Sequence, residues 1–131
     1  MLSEEITLQY DFCREIIAYK RYFLDFYEGQ PDHVQTKIEW TLRLIQLTRR
    51  VPERYFKHLA GTKGLYEIRI EAGNSISRIF SFFDEGSVVV LGNAFIKKKQ
   101  KSPKGEIEKI VKIRLEYFNE KVRRQGHNHI G

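Results

Sequence analysis

One cysteine, Cys13, in a chain of 131 residues leaves no partner for an internal disulfide and no thiol cluster for a structural metal. Glycine-rich phosphate loops, zinc-ligand spacings and a histidine set beside a nucleophile are also missing. His33 and His58 are isolated and read as surface residues, and His127 and His129 fall in a polar tail. The sequence has no long apolar run and no N-terminal signal peptide, so it reads as cytoplasmic, with no membrane partner. If the chain is an enzyme, its catalytic groups are arginines and lysines, with no metal and no cofactor. What is present is a substantial core: 41% hydrophobic and 13% aromatic residues exclude a disordered or low-complexity chain. The length suits one domain, 1–131, with flexible ends expected at 1–11 and 123–131. A net charge of +6 and a pI near 9.5 favour an acidic partner, either nucleic acid or an acidic protein segment.

The chain is organised around residues 65–104. From Leu65 to Glu71, apolar Tyr66, Ile68 and Ile70 alternate with Glu67, Arg69 and Glu71, which predicts a half-buried strand. Gly73-Asn74 suits a tight hairpin turn. A second strand is expected from Ile76 to Phe83, a turn at Asp84-Glu85-Gly86, and a third strand from Val88 to Leu91, apolar enough to be buried on both faces. Three strands with such short turns make an antiparallel meander.

With Gly73-Asn74 as the loop, Arg69 falls opposite Arg78. Like charges so placed are unfavourable by roughly 0.2–1 kcal/mol. Either an anion sits between them, or Glu67 and Glu71 neutralise them as neighbours on the same face. From the sequence both readings stand. After the third strand come Lys97, Lys98, Lys99, Lys101 and Lys104, five lysines in eight residues. Such a run is ordinarily a solvated face. Here it adjoins two strand arginines and Phe95, the combination of cations and a ring that single-stranded nucleic acid uses for phosphates and base stacking.

The flanks supply the layers. Phe12–Tyr19 is expected as a first strand, and Tyr22, Phe23, Phe26 and Tyr27 as a short helix ended by Gly29-Gln30-Pro31. Pro31-Asp32 opens a longer helix with Val34, Ile38, Leu42 and Ile45 as its core stripe, widened by Trp40, Leu44 and Leu47. Residues 49–63 read as a basic linker. Ser102 and Pro103 read as the N-cap and first residue of a last helix, with Glu106 and Glu108 favourable to its dipole. Its expected sheet-facing side is Ile107, Ile110, Val111, Leu115, Phe118 and Val122, with Tyr117 beside it, open to a core role or a site role.

The order GLYEIRI, then SRIFSFF, then VVVLGNAFIKKKQKSPKGEIEKI resembles the RelE/ParE superfamily of toxins from type II toxin–antitoxin modules, in its phage-related, HigB-like branch. The resemblance covers residues 12 to about 120. It departs at Ile110, where a small residue is expected, and at Lys99, where threonine is expected. It implies an α+β, microbial-RNase-like fold: N-terminal helices packed on a mostly antiparallel sheet, then a C-terminal helix. It also implies metal-independent endoribonuclease activity on mRNA at the ribosome, and a cognate antitoxin, commonly a helix-turn-helix protein. Carried over by position, Arg69 and Arg78 match strand arginines that act on the scissile phosphate, and Lys97 and Lys98 match basic residues after the last long strand. Those four are the implied catalytic candidates, with Phe95, Lys99, Lys101 and Lys104 as RNA-binding candidates. The histidine-based acid–base chemistry of some relatives has no counterpart here. A ParE-like toxin that poisons gyrase without catalysis, or a basic RNA-binding module, would use the same fold.

Overall fold

Alternating apolar and polar residues on either side of Gly73 form the longest hairpin, and the rest of the sheet assembles on it. The computed structural model describes residues 13–99 and 101–130, with side chains described as far as Gly126. The expectation for residues 1–11 therefore lies outside the described residues. In chain order the elements are β1 (Glu15–Ala18), α1 (Tyr22–Glu28), α2 (Asp32–Leu47), β2 (Phe56–His58), β3 (Leu65–Ala72), β4 (Ser75–Phe83), β5 (Val88–Ile96) and α3 (Lys104–Ile130). The strands form one sheet in the order β1-β5-β4-β3-β2, parallel only between β1 and β5. The fold is α+β, compatible with a compact RelE-like domain.

The hairpin register is the one its turn dictates. Arg69 pairs with Arg78 and Leu65 with Phe82, and Gly73 takes the turn at φ +60°, where a side chain would be strained. Side chains alternate across the strands, so each face of the sheet carries its own core. On one face Ile68, Ile70, Ile79, Val89 and Leu91 pack under α1 and α2. On the other, Leu65, Phe80, Phe82 and Val90 pack under Ile110 and Ile113 of α3.

Four elements depart from the sequence expectation. The third strand runs on past Leu91 to Ile96, because Gly92 and Asn93 make a bulge rather than a stop. Ile79 pairs with Ala94 and Ser81 with Leu91, so two residues of β5 oppose Phe80 alone. A Cβ on Gly92 would lie 2.3 Å from Ile110 Cδ1 and 3.3 Å from the Phe80 carbonyl oxygen. The missing side chain at Gly92 is what lets a large Ile110 occupy a fully buried position. Second, the supposed basic linker contains β2, a three-residue edge strand on β3; three residues are too few to show a period. His58, at its end, is exposed, as expected.

Third, α2 buries Val34, Ile38, Thr41 and Ile45, with Leu42 half-buried, while Trp40 stays 47% exposed. The spacing 34, 38, 41, 45 is the true helical face. Thr41 fits there because its hydroxyl donates to the Lys37 carbonyl at 2.7 Å. Arg14, just ahead of β1, satisfies the end of the same helix, its guanidinium donating to the carbonyls of Ile45, Thr48 and Arg49.

Fourth, α3 begins at Lys104, one residue later than expected, its first hydrogen bond running from Ile107 N–H to the Pro103 carbonyl. Its sheet-facing side is Ile110 and Ile113, with Ile107, Tyr117 and Phe118 partly buried. Val111, Leu115 and Val122, expected to face the sheet, are 44%, 63% and 65% exposed. The apolar arc is wider than the strip of sheet beneath it. The tail from Arg123, expected to fray, continues the helix as far as Ile130.

Candidate functional site

Helix α3 covers only part of its sheet face. Beyond Phe80 and Phe82 the same face is carried by Glu67, Arg69 and Glu71 of β3, Arg78 of β4 and Phe95 of β5. Strand pairing fixes this row, since Arg78 lies opposite both Arg69 and Phe95. The sequence question about the two arginines is answered by carboxylates. Arg78 Nε donates to Glu67 Oε2 at 2.7 Å and Nη2 to Oε1 at 2.8 Å, a two-pronged pair with side chains 13% and 10% exposed. Arg69 Nε donates to Glu71 Oε1 at 3.1 Å, a single and more exposed contact. The Arg78 guanidinium carbon also lies 5.2 Å from the Phe80 ring centroid and 5.6 Å from that of Phe95. Two rings and a carboxylate thus hold Arg78, and its Nη1 has no acceptor among the described residues.

Next to Arg78 opens a cavity of about 500 Å³. Arg78, Phe95, Lys97, Lys98 and Lys101 line it, with Phe26 of α1 and Pro103 as apolar wall and Glu106 from the first turn of α3. The backbone places these residues. Lys97 N–H donates to the Ile76 carbonyl at 2.7 Å, extending the β4–β5 ladder past the strand end, so the lysine run starts at a fixed point. Glu106 is tied to β5 through Asn93, whose Nδ2 donates to both the Glu106 carbonyl and Oε1, each at 3.0 Å.

Five of the eight site candidates therefore meet in one cavity. Three do not line it. Lys99 and Lys104 are exposed nearby. Arg69 lines two other clefts, of about 340 and 220 Å³, with Arg54 and Glu71 in both and Lys57 or Lys37 and Tyr55 in one. Two carboxylates were not singled out as site groups from the sequence. Glu67 was visible only as a diagonal neighbour. The helix dipole is one account of Glu106 from the sequence; its tie to β5 is signalled by Asn93, a polar residue inside an apolar strand.

Tyr117 belongs to the fold and not to this site. Asp84, in the β4–β5 turn, accepts from the Tyr117 hydroxyl at 2.5 Å, from Lys121 Nζ at 2.7 Å and from the Glu85 amide at 2.7 Å. Burial pushes the Asp84 carboxyl up, but these three donors outweigh it and hold it below the ordinary range. Burial and the bond to Asp84 push Tyr117 up to about 12. A second clasp joins Lys20 to Glu116 at 3.0 Å and to Glu120 at 3.2 Å. Glu116 is held below its ordinary range chiefly by Lys20; Glu120 is also held low, by the nearby Tyr19 hydroxyl, which stands just short of hydrogen-bond geometry with any described residue, and by Lys20. Both clasps fasten α3 away from the lysine-lined end.

An α+β domain with a cation-lined cavity beside an incompletely covered sheet face defines a small basic protein of RelE-like architecture. Residues 25–115 match the family described as phage derived protein Gp49-like (DUF891), and the chain belongs to that family, a RelE/HigB-like toxin family. The matched span contains every residue that lines the cavity. Membership associates the chain with the toxins of toxin–antitoxin systems and implies an antitoxin partner. No curated protein matches the chain. No helix among the described residues is long and apolar enough to cross a membrane.

Proposed function

We propose that the protein is the toxin of a type II toxin–antitoxin module, acting in the cytoplasm as an endoribonuclease that cleaves mRNA on the ribosome without metal or cofactor. The observation that carries this reading is the cavity in which a held arginine, Arg78, meets Lys97, Lys98 and Lys101 beside Phe95. RNA brings its own nucleophile, the 2′-hydroxyl. A site that stabilises negative charge and moves protons is therefore sufficient for cleavage. Arg78, with Nη1 free, binds the scissile phosphate and stabilises the charge that builds on it. Arg69, one strand away, supports the phosphate backbone. Lys97 and Lys98 neutralise the phosphate and supply a proton to the departing 5′-oxygen. Lys99, Lys101 and Lys104 bind flanking phosphates, and Phe95 offers a ring for base stacking.

The test is single-turnover cleavage of mRNA on programmed ribosomes with chelator present, mapping the new 5′ ends. Cleavage within the A-site codon is expected. In cells, induced expression should arrest growth, and co-expression of the cognate antitoxin, expected to be a small helix-turn-helix protein, should restore it. Inhibition of purified gyrase with no RNA cleavage would favour a ParE-like toxin instead. A strict metal requirement would overturn the chemistry.

A further inference from the structure

We propose that Glu106 is the general base of this site, taking the proton from the attacking 2′-hydroxyl; the assignment rests on the ribonuclease reading above. A base must be able to accept a proton at neutral pH. Arginine cannot, and a lysine ammonium has three donors and no acceptor, so it enters as a donor. Both oxygens of Glu67 are taken up by Arg78. Among the residues lining the cavity, Glu106 is the one carboxylate.

Its setting is that of a placed group. The Glu106 side chain is 27% exposed, so it is open to a substrate yet not loose. Asn93 Nδ2 holds Oε1 at 3.0 Å, while Oε2 has only a long contact to Lys109, at 3.5 Å. Asn93 is itself 6% exposed, and its Oδ1 has no hydrogen-bond partner among the described residues. Buried acceptors are rarely left unpaired. Turning the amide over would satisfy nothing, since it would set oxygen against both the Glu106 carbonyl and its carboxylate. The amide therefore serves Glu106 and leaves its own oxygen unpaired. The β5 bulge at Gly92-Asn93 brings Asn93 to the α3 side, where that contact is made.

The step balances. Glu106 takes the 2′-hydroxyl proton as the 2′-oxygen bonds to phosphorus, and the phosphorus–O5′ bond breaks. The Lys97/Lys98 pair donates a proton to O5′, leaving a 2′,3′-cyclic phosphate and a 5′-hydroxyl. Arg78 carries the charge on the non-bridging oxygens. Protons then exchange with water to restore both groups.

The experiment compares Glu106→Gln with the Lys97→Ala/Lys98→Ala double variant in single-turnover cleavage on programmed ribosomes. Gln keeps an acceptor for Asn93, so the fold and melting temperature should hold. Loss of a general base should lower the rate by about 10²–10⁴ with ribosome affinity unchanged. A second mRNA carries sulfur in place of the scissile 5′-oxygen, a leaving group that departs without a proton. The lysine variant should recover on this substrate and Glu106→Gln should not. Full activity in Glu106→Gln, or its recovery on the sulfur substrate, would overturn the assignment while leaving the ribonuclease reading intact. No cleavage by the parent protein would overturn both. A lowered melting temperature in Glu106→Gln, with activity lost in proportion, would make the residue structural and likewise overturn it.

Discussion

Arg69 and Arg78 face each other across the β3–β4 hairpin, on one face of one sheet. Arg78 is 13% exposed, gripped through two nitrogens by Glu67 and flanked by two aromatic rings; Arg69 is 31% exposed and touches Glu71 through one nitrogen. Arg78 opens on the lysine-lined cavity, and Arg69 on two mixed-charge clefts that contain no residue of the lysine run. A resemblance alone treats the two as a pair. The packing separates a guanidinium held by a carboxylate and two rings from a more exposed one with a single contact; in the proposed chemistry the first would meet developing charge without reorganisation and the second would add to binding. It also explains how like charges tolerate being opposite: each has its own carboxylate on β3.

Within the arginine pair and its carboxylates, the largest effect should come from Arg78→Ala. Removing a donor aimed at transition-state charge lowers the rate by about 10²–10³, with ribosome binding nearly kept. Arg78→Lys should recover only part, because an ammonium cannot reproduce the planar contact to phosphate. Stability should also fall by about 3 kcal/mol in denaturant melts, since Glu67 is left buried without its partner. Full activity in Arg78→Ala would remove the distinction between the two arginines.

Glu67→Gln probes the grip itself. The side chain keeps its shape but loses its charge, so Arg78 is held less firmly. The cleavage rate should fall by about tenfold, equivalent to roughly 1.4 kcal/mol in the barrier. The same change on the Arg69 side, Glu71→Gln, should leave the rate within a factor of about two, the pair there being exposed. Equal losses from the two substitutions would count against a special grip on Arg78.

Acid should loosen the clasps of α3. Asp84, Glu116 and Glu120 all have folded-state pKa values below their unfolded ones. Their stabilisation is therefore fully present above the unfolded carboxylate range, about 4, and is lost as pH falls through the depressed folded values. Amide exchange and thermal melts below about pH 4 should show α3 loosening from the sheet. Asp84→Asn should remove part of that dependence. A melt whose midpoint does not change between neutral pH and pH 3 would show the clasps to be inert.

On RNA binding, single lysine substitutions should have smaller, additive effects. Each of Lys97, Lys98, Lys99, Lys101 and Lys104 that contacts a phosphate should, when changed to alanine, flatten the log–log salt slope of RNA binding by about 0.7–0.9. Unchanged slopes across all five would reduce the run to a solvated face.

What was legible beforehand follows from which signals are periodic. The β3–β4 register, and with it the facing arginines, could be read because alternation and a two-residue turn leave one solution. The lysine run was equally plain. The β5 bulge was not, because Gly92-Asn93 has the composition of a strand end; only Ile110, eighteen residues on from Gly92, in α3, shows why a glycine stands there. Trp40 was misplaced because an apolar residue one position off the true face looks like a wider stripe. Glu106 was hidden by sufficiency: a glutamate in a first helical turn is already explained by the helix dipole, and its link to Asn93 spans two elements.

Arg69→Ala should have the smallest effect. The Arg69–Glu71 pair is partly exposed, and such pairs contribute about 0.2–1 kcal/mol. Its removal also relieves the like-charge contact with Arg78, worth roughly the same amount in the opposite direction. Net stability should change by less than about 0.5 kcal/mol, within the range of ordinary surface substitutions. If Arg69 acts only on flanking phosphates, the cleavage rate at saturating ribosomes should stay within about threefold of the parent, while the salt slope flattens by about one contact. The decisive comparison is the double variant Arg69→Ala/Arg78→Ala. Independent roles predict that the two rate losses multiply; residues working as one unit would lose no more together than Arg78→Ala loses alone. That second result, or a loss of 10² or more in Arg69→Ala by itself, would restore the two arginines to a single catalytic pair.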